Sequence, residues 1–305
     1  MVRPILYESH CHTPLCKHSI GSPEDFADVA EQRGLRGLIV TCHNPLPRGC
    51  SPEIRMAAEE FTDYLDMVDR ARRKRAGRVD VRLGLEADYL PGYHGWLKRQ
   101  LRSAVFDYVL GAIHPQLPEF RARCSSRDPL ELQRHYFQLL GDAAESGLFD
   151  CLSHPDSVKN ETADDWYPPR LMDDVRQALD RIAAAGLALE LNTSGLNKAL
   201  GELSPFPEML VEMRFRRIPV VLGADAHEPW RVADNFELAF DLLSDCGYTH
   251  VSHFLRRQRH DVPISAARRT LRPADWTPAR EEEDPGVSRE ESLFVGEELV
   301  VQEMC

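Results

Sequence analysis

The 305-residue sequence predicts an α/β fold built of parallel βαβ units, either a barrel or a doubly wound sheet. Three observations carry this expectation. Seven short apolar, β-branched runs recur along the chain. A polar loop and an amphipathic helical segment follow them in regular alternation. The runs are also nearly continuous in hydrophobicity, as strands covered on both faces are.

The first run, Pro4 to Ser9, leads to a helix announced by Ser22-Pro23-Glu24-Asp25, which offers an N-cap, a first-turn proline and first-turn acids; Gly34 stops it. The second run, Gly37 to Cys42, precedes a helix expected over Met56 to Arg75, whose basic end suits the negative pole of the helix dipole. Val79 to Ala87 and Asp107 to Ile113 are the third and fourth strands. Asp128-Pro129 opens the next helix, which runs to about Ser146 with Gly147 as its stop. The fifth strand is Phe149 to Ser153. Pro168-Pro169 opens the helix to Ala185, closed by Gly186. Leu187 to Asn192 and Val220 to Ala224 are the sixth and seventh strands, followed by the last two helices, Pro205 to Arg216 and Ala233 to Cys246, in their turn.

Composition narrows the function. Hydrophobic residues make up 43% of the chain, enough for a large core. The net charge of −12 argues against a protein that grips nucleic acid by neutralising phosphates. No run approaches the roughly 20 apolar residues of a membrane span, and the start, Met1-Val2-Arg3-Pro4, lacks the apolar core of a secretion signal. Eight cysteines without a CxxC pair read as reduced thiols of a cytoplasmic protein. Residues 280–305 hold nine acids and two arginines, a net of −7. They read as a flexible, solvated acidic tail with no catalytic part, beside a single domain over residues 1–279.

Six of the seven strands end in residues that bind metals. His10 and His12 stand at i and i+2, so an extended chain turns both imidazoles to one face. His18 follows in the first loop, His43 ends strand two, and Glu86 lies on strand three. His114 ends strand four, His154 ends strand five, and Asp225 and His227 repeat the i, i+2 spacing after strand seven. Strand six offers Glu190, Asn192 and Ser194. Singly, each such histidine is an ordinary polar cap, and one HxH pair arises by chance. Seven of the twelve histidines at strand ends or in the first loop form a joint pattern that a structural role does not explain. In a barrel those ends share one face. Nine neutral or anionic donors suffice for two or three divalent ions such as Zn, Mn or Fe, with Glu86 able to bridge. His94 and His135 fall inside helical segments, and His250, His253 and His260 lie past the last expected helix; these stay outside the set.

In order along the chain, the motifs are His10-Cys11-His12 with His18, Thr41-Cys42-His43-Asn44-Pro45, Gly84-Leu85-Glu86-Ala87-Asp88-Tyr89, Asp107-Tyr108 through His114, Glu190-Leu191-Asn192-Thr193-Ser194-Gly195 and Asp225-Ala226-His227. This series resembles the PHP (polymerase and histidinol phosphatase) family, in its monofunctional histidinol-phosphatase branch, over about residues 7 to 265. Glu8 stands where the family commonly has Asp. Lys198 is displaced from the basic position expected just after Ser194-Gly195-Leu196, and the acidic tail has no counterpart.

The resemblance implies a distorted (βα)7, TIM-like barrel with the metal site at the C-terminal ends of the strands. It implies one ion on His10, His12, Glu86 and Asp225, a second on Glu86, His114 and His154, and a third on His18, His43 and His227. The implied activity is hydrolysis of a small phosphate monoester, first of all histidinol phosphate in histidine biosynthesis, by a metal-bridging hydroxide. Asp225, Glu86 and His227 would stand closest to the chemistry. Roughly +6 of metal charge would reconcile an acidic protein with an anionic substrate. Lys17, Lys198, Arg231 and Arg256 or Arg257 are the candidates for the phosphate. Glu190 and Asn192 are candidates for the imidazole and amine, although Glu190 fits a buried structural acid equally well. The expected partner is the small substrate, with neither nucleic acid nor membrane. Two other readings follow from the same residues: a phosphoesterase for another small phosphate or for phosphotyrosine, and a metal-binding module without catalysis.

Overall fold

A computed structural model describes residues 3–124 and 126–274. The acidic tail expected over 280–305 lies outside the described residues. Nine strands form one sheet in sequence order: β1 (Tyr7–Cys11), β2 (Gly37–Val40), β3 (Asp80–Asp88), β4 (Tyr108–Ala112), β5 (Cys151–Leu152), β6 (Ala188–Asn192), β7 (Val220–Gly223), β8 (His250–Leu255) and β9 (Gln258–Pro263). Neighbours from β1 through β8 are parallel, and β8 and β9 form an antiparallel hairpin. Each parallel step carries a helix: Pro23–Gln32, Phe61–Lys74, His94–Leu101, Pro129–Glu145, Met172–Ala185, Pro207–Phe215 and Phe236–Asp245. The seven expected strands are all present.

The sheet closes on itself. Cys11 pairs with Ala226 in parallel, through His12 N–H to Ala226 O at 2.9 Å and Ala226 N–H to His10 O at 3.0 Å. β1 and β7 therefore meet at the end where the predicted ligands lie. At the other end β8 inserts beside β7, pairing Val221 with Ser252. Tyr7, Ile39, Tyr108, Leu110, Cys151, Ala188, Val221 and Phe254 pack as a separate apolar cluster inside the barrel. This plug leaves one end of the barrel open for chemistry, the usual arrangement in such folds.

Local signals hold where they were strong. Ser22 and Asp25 form a reciprocal capping box, Asp128 accepts from Leu130 N–H, and Gly34, Gly147 and Gly186 take positive φ at helix ends. The second helix starts later than expected, at Phe61, because the Glu60 carboxylate accepts from Ala57 N–H at 2.8 Å and folds residues 57–60 into a turn. The elements that were not expected include the β8–β9 hairpin, the helix Ile264–Thr270 and the one-turn helices Pro118–Arg121 and Val158–Glu161. Among the described residues no helix is long and apolar enough to cross a membrane, and Cys11, Cys16, Cys42, Cys124, Cys151 and Cys246 are free thiols.

His253, on β8, is stacked between Tyr7 (centroids 4.5 Å apart) and His260 (5.4 Å). Burial, then repulsion from His260, pushes its pKa down to about 4, against the pull of Asp261 and Asp80. The unfolded imidazole titrates near 6.5, so the folded form resists protonation. Its stabilising share is complete above pH 6.5 and is lost as pH falls toward 4, to a total of about 3 kcal/mol. Replacing His253 with Phe is expected to flatten the pH dependence of Tm between 4 and 6.5 relative to the parent chain. Unchanged slopes in the two melting series would count against this assignment.

Candidate metal centre

All nine predicted ligands meet at the open end of the barrel. Glu86, on β3, is the hub. Its Oε1 lies 3.0 Å from His154 Nε2, 3.5 Å from His10 Nε2 and 3.6 Å from His114 Nε2. Its Oε2 lies 2.6 Å from His43 Nδ1 and 3.8 Å from His12 Nε2. Asp225 Oδ1 is 3.1 Å from His12 Nε2, 3.5 Å from His10 Nε2 and 3.6 Å from His227 Nδ1. The rings of His18 and His227 stack with centroids 4.6 Å apart, and those of His12 and His227 at 4.0 Å.

Several of the ring nitrogens not turned to this centre are held by the surrounding protein. His10 Nδ1 bonds Glu190 Oε1 at 2.7 Å, and Glu190 Oε2 accepts from His154 N–H at 2.9 Å and from Asn192 Nδ2. Gly223 makes room for this acid: a Cβ there would meet Glu190 Oε1 at 2.0 Å. His18 Nδ1 bonds Cys16 O and His227 Nδ1 bonds Asp225 O. His114 Nδ1 lies 2.5 Å from Asp88 Oδ1, and Arg55 Nε donates to Asp88 Oδ2 at 3.0 Å. Glu8 accepts from the backbone N–H groups of His10, Ala224 and Ala233, joining β1 to the turn after β7. Two site residues are strained into positive φ, His154 at 25° and Asp225 at 50°; such backbone persists where surrounding bonds impose it.

Electrostatics prepares the donors. Burial opposes ionisation of Glu86, but the imidazoles of His43, His10 and His114 outweigh it and hold the carboxyl well below its usual range. Asp225 behaves alike, through His10 and Lys198. Burial, then Arg55, holds His43 well below the usual imidazole range; burial, then His12, pushes His227 down to about 3. Burial disfavours the charged form of His12, yet Asp225 and Cys42 raise it to about 9. Carboxylates that draw a proton onto an imidazole draw a cation to the same place.

The residues fit divalent ions on this geometry. His10 Nε2, His43 Nδ1, Glu86 Oε2, His154 Nδ1 and His227 Nε2 are buried atoms without a hydrogen-bond partner, and such atoms are costly unless something satisfies them. His43 Nδ1 and Glu86 Oε2 lie 2.6 Å apart without hydrogen-bond geometry, a close approach that a cation shared by the two would relieve. Ligand atoms within 4.8 Å of one another form the sets His10, His12, Glu86; His43, Glu86, His114; and His12, His43, His227. Imidazole and carboxylate donors suit Zn, Mn or Fe.

The model of the PHP domain matches residues 8–194 of this chain. The chain belongs to the PHP domain family. It is 40% identical over 248 residues to a Deinococcus radiodurans protein named "Probable histidinol-phosphatase", covering 79% of this chain and 94% of that protein. It is 25% identical over 260 residues to the histidinol-phosphatase of Bacillus subtilis, covering 75% and 96%. Among solved structures, histidinol phosphate phosphatase from Lactococcus lactis, complexed with Zn, L-histidinol and phosphate, superposes with a TM-score of 0.72 at 18% identity, covering 84% of this chain and 98% of that one.

In this PHP domain the substrate candidates divide. Lys198 reaches the mouth, with Nζ 3.6 Å from Asp225 Oδ2. Glu190 and Asn192 are fully buried and bonded to each other, so they position His10 and His154 and do not face a ligand. Lys17 is paired with Glu60 at 2.6 Å and Arg231 with Asp234 at 3.1 Å, and neither lines the cavity at the centre. Arg256 and Arg257 are at the opposite end of the barrel. They form the β8–β9 turn and donate their backbone N–H groups to Asp107, which precedes β4.

Arg55 and Asp88 had been given no role. Asp88 belongs to a quoted motif, whereas nothing local marks Arg55, a fully buried guanidinium that touches both Asp88 and His114. Asp88 fixes which His114 nitrogen is free for the centre. Asp88→Asn is expected to lower metal affinity by about 10–100-fold, the usual cost of losing such a partner. Titration of the metal-free protein against a metal indicator measures it; unaltered affinity would remove Asp88 from the site.

Proposed function

We propose that this PHP domain is a metal-dependent phosphoric monoester hydrolase and that its substrate is histidinol phosphate, cleaved to histidinol and phosphate. The carrying observation is the convergence of nine metal-binding side chains, six of which (His18, His43, His114, His154, Asp225 and His227) line one cavity of about 330 Å³ whose wall also carries Lys198, Glu161 and uncharged polar groups. His10, His12, Glu86 and Asp225 would hold one ion, Glu86, His114 and His154 a second, and His18, His43 and His227 a third. When bound, such ions supply Lewis acidity that activates water and offsets phosphoryl charge.

The protein's own side chains do the rest. Lys198, at the mouth, places a positive charge where phosphoryl oxygens enter. Asp225 Oδ2 accepts from Ser194 Oγ at 3.0 Å, which fixes the ionised carboxylate where it can orient a water at the centre. The far wall carries Gln116, Ser157, Asn160 and Glu161. Asn160 Oδ1 is buried without a partner, an acceptor for an imidazole N–H or an ammonium. The Deinococcus and Bacillus relatives support the choice of substrate.

A panel of phosphate monoesters tests the reading on Mn- or Zn-loaded protein. Histidinol phosphate is expected to give the highest kcat/KM, ahead of phosphotyrosine, sugar phosphates and nitrophenyl phosphate. A comparable or better value on another monoester would reassign the substrate while leaving the hydrolase in place.

A further inference from the structure

A second group of ligand atoms lies beside His12, away from the carboxylates. Cys16 and Cys42 have no exposed surface, and neither does His12. The three ligand atoms of this set lie within 4.8 Å of one another. Three donors about 2.3 Å from one ion stand about 4.0 Å apart, so the set closes on a cation with shifts of under about one ångström. The Cys42 sulfur is anchored by Thr13, whose N–H and hydroxyl approach it at 3.4 and 3.2 Å. His12 supplies the independent sign of a ligand. Its Nε2 is engaged by Asp225 at 3.1 Å, while Nδ1, on the opposite edge of the ring, is buried with no hydrogen-bond partner. Cys11, the neighbouring thiol, turns to Ile39 O and takes no part.

We propose that Cys16, Cys42 and His12 Nδ1 form a separate soft-metal site that takes one thiophilic cation, with Cu(I) the best match, and that its occupation inhibits hydrolysis. Thiolate donors select Cu(I), whereas the imidazole and carboxylate centre suits harder ions. On binding, each thiol releases its proton to solvent as the sulfur–metal bond forms, the His12 proton moves from Nδ1 to Nε2 so that Nδ1 has a lone pair for the cation, and no electron is transferred. Inhibition follows because His12 is shared. A cation on Nδ1 withdraws electron density from the ring and pulls it toward the sulfurs, away from Asp225 and Glu86.

The test uses the full chain, loaded with Mn and kept anaerobic, titrated with Cu(I) against a chromophoric Cu(I) chelator. One equivalent is expected to bind, with two sulfur neighbours in X-ray absorption, and phosphate release is expected to fall in step with uptake. Cys16→Ser and Cys42→Ser are expected to lose stoichiometric uptake, whereas Cys11→Ser keeps it. A Cu(I)-loaded parent chain with only nitrogen or oxygen neighbours overturns the site without any variant. So does undiminished uptake by the double Cys16→Ser, Cys42→Ser chain. Full turnover with one Cu(I) bound through sulfur overturns the inhibition. The spectroscopic arm needs no substrate, so it stands apart from the hydrolase reading on which the inhibition rests.

Discussion

Replacing Glu86 with Gln is expected to remove turnover and metal uptake together. The substitution keeps the shape of the side chain and takes away the one carboxylate that five imidazoles face, those of His10, His12, His43, His114 and His154. An amide has one acceptor oxygen and an NH2 group, so half of the bridging position would present a donor to lone pairs that already point there. Two of the three proposed ions draw on this residue. Lewis-acid stabilisation is worth several kcal/mol, which places the fall in kcat on the order of 1,000-fold. Metal content by atomic absorption and phosphate release should drop in the same preparation, with the circular dichroism of the folded chain retained. A Glu86→Gln protein with a full metal complement and near-parental rates would dissolve the hub.

How much of this was legible depends on how local the signal is. The strands and most helices announce themselves through runs, caps and stops within a few residues, and the ligands through residue types at strand ends. The β8–β9 hairpin did not, because its two-residue turn is Arg256-Arg257. Both adopt positive φ, where hairpins ordinarily use Asn or Gly. Without that cue His253 looked like a stray histidine beyond the last helix, and the two arginines looked free to meet phosphate. Arg55 is the converse case. It sits in a loop with no pattern, and only the approach of β3 and β4 reveals that it is buried against Asp88 and His114. Glu190 was left open between a ligand contact and a buried structural acid, because which face of β6 meets His10 depends on the small residue at position 223 of β7.

Stripping the protein with a strong chelator is expected to bring phosphate release to background and to lower Tm; Mn or Zn should restore both. The second effect follows from the same geometry as the first. Without a cation the ionised Glu86 is compensated by imidazoles and Asp225 by imidazoles and the half-exposed Lys198, and several nitrogens and one oxygen are left buried without partners. A ligand that binds only the folded chain adds about 2.7 kcal/mol at a free concentration 100 times its Kd, which for a domain of this size amounts to several degrees in Tm. Glu86→Gln should show little of this rise, because it loses the acceptor that brings the separate clusters onto shared ions. Asp107, at the closed end, provides the control: its substitution should lower Tm through lost contacts with the β8–β9 turn yet leave the metal-dependent increment intact. Turnover that survives complete metal removal would mean that the nine side chains gather for some purpose other than hydrolysis.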